Sequence, residues 1–213
     1  SRKINNFLEK GLNSDSIKER YFNWHSVFNL KELRKLNSNY IDESEFHRRV
    51  DKIFPNIEKL VDQKRHLNDI EFSSWLRDHY CLYVDKLSMA SSLELRFPFL
   101  DQDLVNFVKT IPFEYRSSKN NRKKILKDAF SDILPQKLIK RRKFGLMPPA
   151  SMWLRNELKE DLYNNIENAF SDNLIFNFDN LKKIVDNHID TSEYNLSKVW
   201  SIYSLSKFIN KNK

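Results

Sequence analysis

The chain has 213 residues, with 37 Lys or Arg against 29 Asp or Glu for a formal charge of +8; 40% are hydrophobic and one, Cys81, is a cysteine. A single cysteine excludes an intrachain disulfide and Cys-rich zinc or iron–sulfur sites, and a reducing, cytoplasmic setting is expected. Only two glycines, Gly11 and Gly145, occur, so neither a P-loop nor a Gly-x-Gly-x-x-Gly turn can be written within these residues.

No uncharged apolar run is long enough to span a bilayer. The opening Ser1-Arg-Lys-Ile-Asn-Asn lacks the apolar core of a secretory signal, so export is not expected. A first residue other than Met reads as a processed or excised product.

Taken in chain order, the periodicity is helical. Ile17, Tyr21, Trp24, Val27, Phe28 and Leu30 recur mostly at three and four residues, predicting a helix from Ser16 to Leu36. Glu43 to Phe54 reads as a shorter helix stopped near Pro55, and Ile57 to Leu67 as another. Phe72, Trp75, Leu76, Tyr80 and Tyr83 carry the pattern onward. Pro98 breaks what precedes it, and Asp101 is a good N-cap for a helix with Leu104, Val108 and Ile111 inward. Glu114 to Asn121 is a polar loop, and Arg122 to Ile133 an amphipathic helix with Lys123 and Lys127 sharing another face. After Pro135 comes the basic run Lys137 to Lys143, then Phe144-Gly-Leu-Met-Pro-Pro149. Helices over Ser151 to Tyr163 and Asp179 to His188 follow, and Leu196 to Ile209, apolar almost all round, is expected to be mostly buried. No stretch alternates with period two, so a mainly α body is predicted.

Two features stand out chemically. Glu94 and Arg96 lie inside Leu87-Ser-Met-Ala-Ser-Ser-Leu-Glu-Leu-Arg-Phe-Pro-Phe-Leu100, an otherwise apolar or small run. Charges there are costly unless paired or bound; a structural ion pair and a functional pair are both open readings. The basic run is read as a solvated helix end or as a patch for phosphate or nucleic acid. Lys143, two residues before Gly145 and ahead of two prolines, sits in a specialised backbone setting and could point into a cleft. The five histidines show no metal-ligand spacing, and no Ser/His/Asp signature rises above chance.

The segment Tyr83-Val-Asp-Lys-Leu-Ser-Met-Ala-Ser-Ser-Leu-Glu-Leu-Arg-Phe-Pro-Phe-Leu-Asp101 resembles the Asp-(Arg/Lys)-x-Ser-Met-Ala-x-Ser-x-Glu-x-Arg-x-Pro-Phe-Leu-Asp signature of glutamine-hydrolysing asparagine synthetases. Lys123-Lys-Ile-Leu-Lys127, Leu134-Pro135, Arg141-Arg-Lys-Phe-Gly145…Pro148 and Trp153-Leu-Arg155 are similar to further blocks of that family, in order, over about residues 20 to 205. Two departures are visible: Lys127 stands for the usual Arg, losing bidentate geometry, and Leu146-Met147 replaces the usual aromatic step after the Gly.

The resemblance implies a two-domain ligase. A glutaminase domain frees ammonia from glutamine, and a synthetase domain of the ATP-pyrophosphatase type adenylates aspartate before ammonia displaces AMP. This chain matches only the later helical part of that α/β synthetase domain. Residues 1–84 correspond to a helical linker region and 85–213 to the active-site flank. The Ser-Gly-Gly-x-Asp-Ser phosphate loop, its sheet and the glutaminase region are absent from it, so the chain alone is expected to be inactive and to need those regions in cis or in trans.

By the same resemblance, ATP and Mg2+ are the expected cofactors, with aspartate and glutamine or ammonia as substrates. Lys143 and Glu94 are the catalytic candidates; Arg96, Lys123 and Arg142 are nucleotide-binding candidates, and no protein-held metal is expected. Related ligases that close β-lactam rings, cyclise peptides or amidate sugars are the alternative. A non-enzymatic basic helical module is the rival, disfavoured because the aromatics sit at core spacing rather than among the lysines. Neither membrane nor nucleic acid is the expected partner.

Overall fold

The structure, a computed structural model, describes residues 17–37, 42–53, 63–118, 121–141, 145, 148–172 and 175–213, which form helices and connecting turns with no strand among them. In chain order the helices are α1 (Ile17–His25), α2 (Leu30–Leu36), α3 (Glu43–Ile53) and α4 (Gln63–Glu71). A π-helical stretch, Phe72–Cys81, leads into α5 (Leu82–Met89), and a 3-10 turn, Pro98–Leu100, into α6 (Gln102–Thr110). Then come α7 (Phe113–Arg116), α8 (Lys124–Ala129), α9 (Gln136–Lys140), α10 (Ala150–Arg155), α11 (Lys159–Phe170), α12 (Phe178–Ile189) and α13 (Leu196–Lys211). The mainly α body is as the periodicity predicts; the helix expected over Ile57 to Leu67 lies mostly outside the described residues.

The chain divides into two compact units: Ser1–Arg49 with Gly145–Lys213, and Val50–Phe144. The first holds the core. Leu162, Ile166 and Phe170 on α11, Leu181 and Val185 on α12, and Val199 and Ile202 on α13 are all at most 3% exposed. Their spacings of three and four put each set on one face, so three amphipathic stripes close on one another. Each such side chain contributes about 1.5–3 kcal/mol on burial. Polar bonds then fix the registers: the Tyr163 hydroxyl donates to Asp186 Oδ1 at 2.6 Å, and Asn210 Nδ2 donates to the Asn165 carbonyl at 3.0 Å.

The single helix predicted from Ser16 to Leu36 is instead two. Asn29 Oδ1 accepts the Glu32 N–H at 2.9 Å, and the Glu32 carboxylate accepts the Asn29 N–H at 3.0 Å. That reciprocal capping box starts a new helix. It also brings α2 to α12, where the Asn177 N–H donates to the Leu36 carbonyl at 2.8 Å and Asn180 Nδ2 to the Lys35 carbonyl at 2.7 Å. α13 is likewise one-sided rather than buried all round: Val199, Ile202, Tyr203 and Ser206 are buried while Trp200 and Phe208 are 41% and 66% exposed.

His188 is wholly buried in this core. Its Nδ1 accepts the Asn195 N–H at 3.2 Å, so the ring proton is on Nε2, 3.3 Å from Ser151 Oγ. Burial, and secondarily the Arg155 cation, hold its pKa below the ordinary value, against a smaller opposing pull from the Glu193 carbonyl. A depressed histidine pKa stabilises the fold fully above the unfolded value of about 6.5, and that contribution is lost as pH falls below it. Urea denaturation should therefore show lower stability at pH 5.5 than at 7.5, and His188→Gln should flatten the difference.

The Val50–Phe144 unit is built differently. Lys109 on α6 meets Asp69 on α4 at 2.8 Å, and Asp101 caps α6 by accepting the Asp103 and Leu104 N–H groups at 3.1 and 3.0 Å. The predicted N-cap is thus present. Between residues 66 and 141, however, none of the described residues is fully buried.

Candidate functional site

The signature segment is shaped by its own chain. α5 ends in a Schellman motif: the Leu93 N–H donates to the Ser88 carbonyl and the Ser92 N–H to the Met89 carbonyl, both at 3.0 Å. Ser92 accordingly takes φ 56°, a left-handed conformation normally given to glycine. Ser92→Gly should relieve about 1 kcal/mol of this strain, read as slower amide exchange over α5; unchanged or faster exchange would remove the strain argument.

From Leu93 to Phe97 the chain is non-helical. The segment turns into α6 through Pro98–Leu100. Glu94 and Arg96 bond to one another through Oε1 and Nη2, with side chains 68% and 85% exposed. The apolar run around them therefore does not bury them: Leu93 and Leu95 are themselves 61% and 40% exposed. An ion pair this exposed contributes about 0–1 kcal/mol. It does little for the fold, which removes the buried structural pair as its explanation.

Lys123, exposed at the start of α8, has φ 59° and ψ 36°. Its helix-mate Lys127 is tied back, with Nζ donating to Asn121 Oδ1 at 3.0 Å, so the two differ in their freedom to meet a ligand. Lys143 and Arg142 lie outside the described residues. Gly145 is described and has no positive φ, and a Cβ there would meet nothing within 4 Å. The backbone thus makes no demand for glycine at this position; the specialised setting expected of Lys143 lies outside the described residues. Among the described candidates, only Glu94 and Arg96 touch one another.

Two other features fall outside these candidates. The Ser151–His188 contact pairs a hydroxyl with an imidazole, but Nε2 carries the proton and Nδ1 is occupied by Asn195. The ring therefore offers Ser151 no lone pair with which to act as a base. A cleft of about 430 Å³ between α2, α12 and the start of α13 includes Glu32, Lys35, Asn180, Lys183 and Lys198 in its lining and none of the candidates. Among the described residues, no three His, Cys, Asp or Glu side chains are grouped to hold a metal ion, and no helix is long and apolar enough to cross a membrane.

A helical body carrying this signature segment is what one family of amide-forming enzymes shares, and the comparisons identify it. The chain belongs to the asparagine synthase family, whose model matches residues 2–210. It is 27% identical over 195 residues to asparagine synthetase [glutamine-hydrolyzing] 1 of Bacillus subtilis, covering 92% of this chain and 30% of the relative. A third synthetase of that organism is 34% identical over 120 residues, 56% of this chain and 18% of the relative. A putative asparagine synthetase of Mycobacterium tuberculosis is 28% identical over 137 residues, 64% of this chain and 21% of the relative. The chain thus spans a third or less of the length of these curated relatives. No solved structure matches.

Proposed function

We propose that this chain forms the helical wall of an ATP-dependent, amide-forming active site that makes asparagine from aspartate through β-aspartyl-AMP. The observation that carries the reading is the Asp85–Asp101 signature, set in a chain whose family match runs from residue 2 to 210. In the proposed reaction an aspartate side-chain carboxylate oxygen attacks the α-phosphorus of ATP and pyrophosphate leaves. Ammonia then attacks the acyl carbon, and AMP departs with the carboxylate oxygen.

The roles assigned here follow charge. Lys143 is the cation set against negative charge developing at the α-phosphate, a term worth several kcal/mol in a water-poor site. Glu94 is the carboxylate that orients Lys143 or the incoming amine. Arg96, Lys123 and Arg142 supply phosphate contacts. The exposed Glu94–Arg96 pair supports this reading, because solvated charges with little structural duty are free to be recruited by substrate. Mg2+ would arrive on the ATP phosphates: the described residues offer it no ligand group, and no step is routed through it. The glutaminase and phosphate-loop regions are partners supplied from outside these 213 residues. Lys127 and Leu146-Met147, which depart from the family pattern, favour keeping a related acceptor carboxylate as the second reading.

The test is a hybrid in which this chain replaces the matching third of the Bacillus subtilis relative. Given aspartate, MgATP and ammonia, the hybrid should release AMP and asparagine in equal amounts, and the isolated chain neither. AMP formation by the isolated chain, or a hybrid that amidates another acceptor but not aspartate, would overturn the proposal.

A further inference from the structure

We infer that the cleft between α2, α12 and the start of α13 binds a small phosphate ester whose body carries hydroxyl groups. Its volume of about 430 Å³ suits a small-molecule site, and its walls belong to one compact unit of the chain. Such a site is independent of the ligase reading above.

Two helix faces make the cleft. Glu32 and Lys35 on α2, and Asn180, Lys183 and Asn187 on α12, line it; spacings of three and four put each set on one face. The bonds from Asn180 Nδ2 to the Lys35 carbonyl and from the Asn177 N–H to the Leu36 carbonyl hold these faces together. The charges are not equally free. Lys198 bonds to Glu32 Oε1, and Glu32 Oε2 accepts the Asn29 N–H at 3.0 Å, so that pair is occupied in joining α13 to α2. Lys35 and Lys183 meet no acceptor for their ammonium groups among the described residues. Two like charges lining one cleft repel each other unless an anion lies between them. α13 adds to the positive potential: its first turn holds no acidic residue and Asn195 makes no side-chain cap. The positive end of a 16-residue helix thus begins at the cleft without a neutralising group.

The lining selects the class of anion. No arginine is among the described residues around the cleft, so the planar fork that holds a carboxylate by two parallel bonds is missing; lysine, a compact point charge with three donors, suits the tetrahedral oxygens of phosphate. Nor does an aromatic ring among them offer a nucleobase a surface to stack on. The side-chain amide of Asn187 and the carboxylate of Glu193, which accepts Asn195 Nδ2 at 2.8 Å, instead provide donors and acceptors for hydroxyl groups.

Titration of the 213-residue chain with ribose 5-phosphate, followed by nuclear magnetic resonance, tests this. The amides of α2, α12 and the first turn of α13 should shift saturably. Ribose should shift none of them, and inorganic phosphate should bind more weakly than the ester. Lys35→Gln with Lys183→Gln should weaken ribose 5-phosphate at least about tenfold, since two charged hydrogen bonds are lost. Both side chains are exposed, so the α11 to α13 amides of this variant should exchange as in the parent. Lys159→Gln with Lys211→Gln removes the same charge from exposed positions that do not line the cleft, and should leave the affinity unchanged. No saturable shift in the parent, an equal loss in the two double variants, or equal affinity for inorganic phosphate overturns the inference.

Discussion

Phe170→Ala is expected to cost the core about 3–5 kcal/mol, enough to unfold the Ser1–Arg49 and Gly145–Lys213 unit at ambient temperature if its stability is ordinary. Phe170 is 1% exposed, and its ring meets that of Phe176 edge-on at 5.5 Å and 77°. Truncation removes the transfer free energy of a phenyl group and leaves a cavity in the core that Phe170 shares with residues of α11, α12 and α13. Phe107→Ala, on a side chain 63% exposed, should cost under about 0.5 kcal/mol in the isolated chain. Urea denaturation followed by circular dichroism separates the two. A loss below about 1 kcal/mol at Phe170 would mean that this core is not the one holding the unit together.

Lys143→Ala in the hybrid synthetase should lower kcat about 10²–10³-fold while changing the KM for ATP far less. In the proposed role the cation acts on charge that exists only as pyrophosphate leaves, so its removal should fall on the chemical step. Lys143→Arg should restore part of the rate, because the charge survives with different geometry. Rapid-quench measurement of pyrophosphate release reads the step directly. Equal rises in KM with kcat unchanged would reassign Lys143 to simple nucleotide binding.

The sequence made the helical class legible because apolar residues recur at three and four over most of the chain, and α11, α12 and α13 bury the residues that this spacing selects. The Asp101 cap was legible for the same local reason. The break after Ser26 could have been found in Asn29-x-x-Glu32, a capping-box pair that the surrounding apolar spacing obscures. The meeting of α2 with α12 could not, since Leu36 and Asn177 are far apart in sequence and no local pattern encodes their hydrogen bond.

Glu94 and Arg96 show the limit most clearly. An apolar neighbourhood in sequence suggested burial, but burial needs surrounding mass, and the elements next to this segment leave it open. The one-sidedness of α13 has the same origin: Trp200 and Phe208 are apolar in kind yet the described residues leave them 41% and 66% exposed.

The most direct measurement follows oxygen. Aspartate labelled with 18O in its side-chain carboxylate is supplied to the hybrid synthetase with MgATP and ammonia, and the products are weighed by mass spectrometry. Activation as an acyl-adenylate predicts one labelled oxygen in each AMP released alongside asparagine. Label in inorganic phosphate with ADP, or AMP carrying none, would contradict it.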